Sequence, residues 1–173
     1  EDSKSITFNY HNQYSENRFF GDDLIDSSPR IILGFENLYN LNNKNFSIKI
    51  NQSFDFNKNN NYLNILNQDS RFSDYAIESK LNINDFSFKI DTRLDNDNLS
   101  KKEMNYELNF NKFFETSLVF NETQSEAYKI LSNDTQSIVL NISKKINNNA
   151  SVELISNLDV KNNYDPYKSI FKF

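Results

Sequence analysis

The 173-residue chain contains no Cys, no Trp, 1 His, 2 Gly and 2 Pro. Without Cys there is no disulfide, thiolate metal site or thiol nucleophile in this stretch. The single imidazole, His11, lies in a polar stretch without partner ligands and reads as an ordinary loop residue. Two glycines cannot build a phosphate-binding loop or a nucleophile elbow. So few Gly and Pro also exclude collagen-like and Gly-rich linker structure. No run approaches the ~20 apolar residues of a membrane-spanning helix. Any contact with a membrane core must therefore be made by strands. Basic patches are missing as well, and a formal net charge of -5 argues against a nucleic-acid partner. The chain opens at Glu1 with neither Met nor a signal peptide, which reads as a fragment or a mature segment. No catalytic, cofactor-binding or metal-binding residue emerges, and the chain does not read as an enzyme.

What is present points to strands. A composition of 37% hydrophobic and 25% charged residues would suit a soluble or partly disordered chain, as would a mean hydropathy of -0.73. Yet 9 Tyr and 16 Phe are too many for a solvated polymer. Period-two alternation dominates. From Phe46 to Phe56, the residues Phe46, Ile48, Ile50, Phe54 and Phe56 fall on one face, interrupted only by Gln52. Ser47, Lys49, Asn51, Ser53 and Asp55 fall on the other. A strand of about eleven tilted residues crosses an outer-membrane hydrocarbon layer. The pattern recurs at Tyr75–Ile83, where Glu78 and Lys80 are on the polar side. It recurs again at Phe86–Leu94, with Phe86, Phe88 and Ile90 opposed to Lys89, Asp91 and Arg93. Met104–Phe110 places Glu107 on its polar side. Further strands are expected at Ile31–Tyr39, which is apolar on both faces at its start, and at Phe114–Phe120, Ile138–Ile142, Val152–Leu158 and Tyr167–Phe173.

Connections alternate in length. Short Asn-rich turns are expected at Leu41–Lys44, Asn84–Asp85, Asn111–Lys112 and Asn147–Asn149, since Asn and Asp tolerate left-handed turn geometry. Longer polar links are expected at Asn57–Asp74, Asp95–Lys102, Asn121–Asp134 and Asp159–Pro166. Asp95 and Asp97 resemble an EF-hand start but lack its Gly and distal Glu, so they read as solvated loop. Thr123 and Glu126 match a capping box ahead of Ala127, Ile130 and Leu131, which reads as loop or a brief helix.

Together these features predict an all-β fold: an antiparallel up-and-down transmembrane β-barrel, or an open part of a larger one, with roughly eight or nine strands. Residues 1–30 would be a polar loop or strand leading in, and 31–173 the barrel strands. Alternation alone fits equally a soluble antiparallel sheet, a binding module whose apolar face packs on a second layer. The aromatic-rich apolar faces, the charges of both signs opposite them and the alternating loops favour the barrel. Phe46, Ile48, Ile50, Phe54, Phe56, Phe86, Phe88 and Ile90 are then expected to face lipid. Lys49, Asp55, Glu78, Lys80, Lys89, Asp91, Arg93 and Glu107 are expected to face a hydrated lumen. On that orientation Lys should be tolerated at Ser47 and Asn51 and not at Ile48 or Ile50. The chain's last residues, with aromatics at Phe171 and Phe173, are similar to the terminal signal of barrel proteins but carry Lys168 where Gly is usual; a strand cut at a fragment boundary looks the same.

Four short elements in order carry a family resemblance. The first is Asn17, Arg18, Phe19 and Gly21 in Asn17–Asp23, followed by Arg30 and Gly34 in Ser28–Gly34. The second is Phe46–Phe54 with Gln52, where Asn51 stands at a position usually Gly. The third is Ser73 and Asp74 in Arg71–Tyr75, and the fourth is Asp91, Arg93 and Asp95 at the end of a strand. Over residues 17 to 110 this order resembles the LptD family of lipopolysaccharide-assembly outer-membrane barrels. Beyond residue 110 the likeness is in strand rhythm, and the family's late Cys-containing strand is not found. The resemblance implies a place in the bacterial outer membrane, amid outer-membrane lipid. It also implies a very large barrel with a plug lipoprotein inside, fed by a periplasmic bridge protein and passing lipopolysaccharide to the outer leaflet. A different outer-membrane barrel, such as a porin, an adhesin or a small anchor, is the other reading.

Overall fold

Every alternating segment lies in a strand, except that Phe56 and Phe114 fall just outside theirs and Phe173 lies outside the described residues. Each strand pairs with its neighbours in sequence. The computed structural model describes residues 8–18, 28–57, 61–68, 70–146, 151–161 and 165–172. The strands are β1 (Arg30–Leu41), β2 (Lys44–Asp55), β3 (Tyr75–Ile83), β4 (Phe86–Leu94), β5 (Lys101–Asn111), β6 (Glu115–Thr123), β7 (Thr135–Lys145), β8 (Ser151–Asp159) and β9 (Asp165–Lys172). They make one antiparallel sheet in the order β1 to β9. Among the described residues β1 and β9 have one strand partner each, so this all-β, up-and-down sheet is open.

Turn chemistry separates the two ends of the sheet. Asn42 and Asn84 take φ of 50° in the short turns after β1 and β3, the left-handed geometry that Asn accepts at low cost. The expected Asn147–Asn149 turn lies outside the described residues. Long links leave the opposite end, and several of their bounds differ from the sequence reading. The link expected from Asn121 begins after Thr123, because Asn121 accepts from Asn105 Nδ2 and donates to Ser137 Oγ at 3.3 Å, which keeps three strands in register. The link expected to reach Pro166 ends before Asp165, which pairs with Asp159. Pro166 sits opposite Leu158 at a register slip between Asn157 and Leu158, a place where its missing N–H is tolerated.

No capping box forms at Thr123. That residue stays in the ladder opposite Thr135, and the Ser125–Ala127 3-10 turn has Gln124 at its N-cap with no side-chain cap. A second short element, α1 (Asn61–Ile65), lies in the β2–β3 link, and a 3-10 turn, Asn12–Tyr14, precedes β1.

The core sits on the polar face of the sheet. Phe8, Tyr62, Leu66 and Ala76 form it, with Ile65 and Tyr128 packed against them. Three loop segments, 8–18, 61–68 and 124–131, thus fold back onto the wall and meet over Ala76, whose small side chain leaves room for them. Gly34 does the same on β1: a Cβ there would overlap the Tyr14 hydroxyl.

Candidate functional site

Register defines the two faces. On one, Ile50 lies between Phe35 and Ile77, and Phe88 lies between Leu81 and Leu108. Ile90 lies opposite Tyr106, Phe86 opposite Phe110, Phe46 opposite Leu81 and Tyr39, and Ile48 opposite Asn37 and Ser79. Rings of Phe88, Tyr106 and Phe120 run across three strands at centroid distances of 6.5 and 6.0 Å. Phe54 gathers Phe56 at 5.4 Å and Phe72 at 5.0 Å near the long-loop end. Gln52 also falls on this face, and its amide donates to the Ser73 carbonyl at 2.9 Å. Among the described residues no second layer covers this face. Leu33 remains 74% exposed and Phe35 59%, whereas charged Arg18, Asp55 and Asp74 are 0% exposed on the loop-covered side. That inverts the distribution of a water-soluble domain.

The opposite face is a charge ladder. Lys49 bridges Glu36 at 3.2 Å and Glu78 at 3.5 Å, and Lys89 bridges Glu78 at 3.3 Å and Asp91 at 2.8 Å. Lys80 lies opposite Lys89 and is exposed. Glu107 accepts from Asn109 at 2.7 Å. His11 joins the ladder, its Nε2 3.0 Å from Glu78 Oε2.

Where the three loop segments meet the wall, the ladder becomes a knot. Arg93 is 1% exposed and donates from Nε to Asp74 at 2.6 Å. It also donates to the carbonyls of Ala127 at 2.9 Å and Leu66 at 2.8 Å, so one guanidinium ties two loops to β4. Rings of Phe8 and Tyr128 lie 4.8 and 5.2 Å from its Cζ. A register slip between Arg93 and Leu94 sets Leu94 opposite Lys101 and Arg93 opposite Glu103. Lys101 pairs with Glu122 at 2.6 Å, while Lys102 reaches Asp74 at 3.2 Å and Asp95 at 2.7 Å. The bulge re-aims one ammonium into the knot. Arg18 donates to Asp55 at 2.9 Å under the Tyr62 ring, 3.9 Å from its centroid. Burial, reinforced by the Glu103 carboxylate 2.9 Å away, raises the pKa of the Tyr128 hydroxyl and keeps it a donor.

The motif residues of four separate stretches converge here. Arg18 meets Asp55; Arg30 donates to the carbonyls of Gln13 and Ser15; Gly34 admits Tyr14; and Asp95 meets Lys102. Ser73 accepts from the Ser53 amide at 2.9 Å and donates to the Asp74 carbonyl at 2.8 Å. Asn17 precedes Arg18 in the same segment, and Phe19 and Gly21 lie outside the described residues. Sequence reading missed His11, Lys102 and Tyr128, whose respective partners Glu78, Asp74 and Glu103 are 25 or more residues away.

The knot has an acid limit. Burial raises the Asp95 carboxyl, but the Lys102 ammonium and the amides of Asn98 and Asp97 outweigh it and hold the group at about 2, against 3.8 normally. A pKa depressed on folding stabilises the fold above the unfolded value, and that gain is lost as pH falls through the folded value. The wild type is thus expected to exceed Asp95→Asn in stability near neutral pH. The difference should shrink from 3.8 towards pH 2, read by urea unfolding in detergent across that range. A gap that stays constant with pH contradicts this assignment.

An open antiparallel meander, oily and uncovered on one face and charged on the other, is part of an up-and-down transmembrane β-barrel. No helix among the described residues is long and apolar enough to cross a membrane, which leaves strands unaffected. A sequence model of the family described as LPS transport system D, LptD, matches residues 1–166, and the chain belongs to that family. It is an outer-membrane family of lipopolysaccharide transport and assembly, not an enzyme family. No curated protein and no solved structure matches the chain.

Proposed function

We propose that this chain is a stretch of barrel wall in the machine that inserts lipopolysaccharide into the outer leaflet. The reading rests on one observation above all: the loop-covered side buries Asp55, Asp74, Glu78 and Arg93, while the other face leaves Leu33, Phe35 and Phe46 exposed, in a chain of this family. A lipid solvent stabilises that arrangement. Phe46, Ile48, Ile50, Phe54, Phe56, Phe86, Phe88 and Ile90 then face acyl chains. Lys49, Asp55, Glu78, Lys80, Lys89, Asp91, Arg93 and Glu107 face the lumen side. Residues 1–30 lead into the wall, and 31–173 are part of a larger barrel. The open edges of β1 and β9 take further strands of that barrel, because unpaired backbone groups cannot face hydrocarbon. A plug lipoprotein would meet the polar face, and a periplasmic bridge protein would deliver lipopolysaccharide. The loop knot caps the lumen at the long-loop end.

Photo-reactive residues test this in growing cells. One at Asn109, on the polar face, should capture lipopolysaccharide or a lipoprotein. One at Phe88 should capture membrane lipid. If Asn109 captures only bulk phospholipid, or Phe88 only a water-soluble protein, the orientation is wrong and the proposal falls.

A further inference from the structure

The segment before β1 lies across the wall as a strap and touches two cavities. His11 lines one of about 680 Å³, together with Lys80, Lys89 and Glu107. Phe8 and Asn9 line another of about 300 Å³, together with Asp91, Asn105 and Asn121. On β4 and β5 the two cavities are one step apart in side-chain period, since Lys89 and Glu107 line the first and Asp91 and Asn105 the second. We propose that Phe8–His11 is a movable partition between them, latched by His11 on Glu78, whose release joins the two cavities into one polar path along the wall. This rests on the polar face being the lumen side.

The contacts of the strap divide into a fixed end and a releasable end. At the fixed end Arg18 is paired with Asp55, both 0% exposed, and neither charge can be left alone in that place. Arg30 holds the carbonyls of Gln13 and Ser15 nearby. Towards the releasable end the ties are apolar contacts and single hydrogen bonds, with no buried ion pair. The Tyr10 carbonyl accepts from Asn51 at 2.9 Å, and its ring lies 5.4 Å from the Lys49 ammonium. The His11 side chain is 65% exposed, while Glu78 is 5% exposed. If His11 leaves, Glu78 keeps Lys49 and Lys89, so no buried charge is orphaned. The imidazole returns to water. Lifting Phe8 takes it off Tyr62, Leu66 and Ala76 as well as off the Arg93 guanidinium, and leaves Arg93 its carboxylate and both carbonyls. The hinge is therefore the Asn12–Tyr14 turn, between the two ends.

Because the chain has no Cys, single thiols report cleanly on access. The complete barrel that holds this chain is folded into lipid vesicles with Asn105→Cys and treated with a bulky, membrane-impermeant maleimide, labelling at residue 105 being read by peptide mass. Removing the latch with His11→Ala should speed labelling roughly tenfold, the shift expected when one charge-assisted hydrogen bond is lost. His11→Lys restores a hydrogen-bond donor to Glu78 and should return the rate to the wild-type value. An unchanged rate in His11→Ala overturns the partition. A faster rate that His11→Lys does not reverse overturns the latch as its cause. Tyr106→Cys, on the other face, is the separate check. If it labels as readily as Asn105→Cys, the orientation of the wall has failed. If it stays protected while His11→Ala changes nothing, only the partition has failed.

Discussion

Arg93→Met is expected to cost about 3 kcal/mol of folding stability, the lower end of the 3–5 kcal/mol for breaking a buried ion pair. The lower end applies because Asp74 keeps Lys102, with Nζ 3.2 Å from both carboxylate oxygens. The Leu66 and Ala127 carbonyls lose their donor, and the loops they carry lose their tie to β4. Arg93→Lys should be nearly as damaging, because an ammonium cannot span a carboxylate and two carbonyls that lie in different directions. Asp74→Asn in the Arg93→Met background should add less than it does alone, since the two share one interaction. Urea unfolding in micelles gives the energies, and trypsin cleavage within 61–68 or 124–131 reports the loops. An Arg93→Met chain within 1 kcal/mol of wild type, with both loops still protected, would show that the knot does not depend on this guanidinium.

Ile50→Lys should cost about 2–4 kcal/mol of stability in a bilayer, the range for a cation on the lipid face near the midplane. Its register neighbours Phe35 and Ile77 offer no partner for the charge. The control must be chosen from the structure. Ser47 and Asn51 look like open polar positions in sequence, yet Ser47 is 9% exposed and Asn51, under the strap, 1%. A Lys at Asn51 would displace the Tyr10 carbonyl, so the expected tolerance there does not hold. Asn82, a half-buried residue of the larger cavity, is the better comparison and should change by a few tenths of a kcal/mol. Folding into lipid vesicles measures both. Equal costs at Ile50 and Asn82 would remove the distinction between the faces.

The strands could be read from sequence because their determinant is local. A side chain's face depends on whether its neighbour two positions away is apolar, and Phe46–Phe56 states that within one strand. Asn-rich turns are local in the same sense. The knot is not. Arg18 meets Asp55 at a separation of 37 residues, Arg93 meets Ala127 at 34, and His11 meets Glu78 at 67. Nothing in a two-residue period indicates which Arg will be wrapped by loops. The short motifs include Arg18, Ser73, Asp74 and Arg93, but a motif does not say which of its residues touch. The bulge at Arg93 and Leu94 was equally hidden, since alternation alone sends Lys102 to the other face. Asn121 misled for a related reason. A polar residue flanked by polar residues looks like loop, but side-chain bonding across β5, β6 and β7 keeps it in the sheet.

Strictly sequential pairing has a kinetic consequence. Each strand meets the one made just before it, so the wall can zip up a hairpin at a time without distant segments first finding each other. The knot cannot follow that schedule. Its Ala127 carbonyl comes after β6, so five hairpins must be laid down before Arg93 gains its last acceptor. A half-built wall would carry a desolvated guanidinium with part of its shell missing, and that is where a stalled intermediate would offer an assembly chaperone or a protease its foothold.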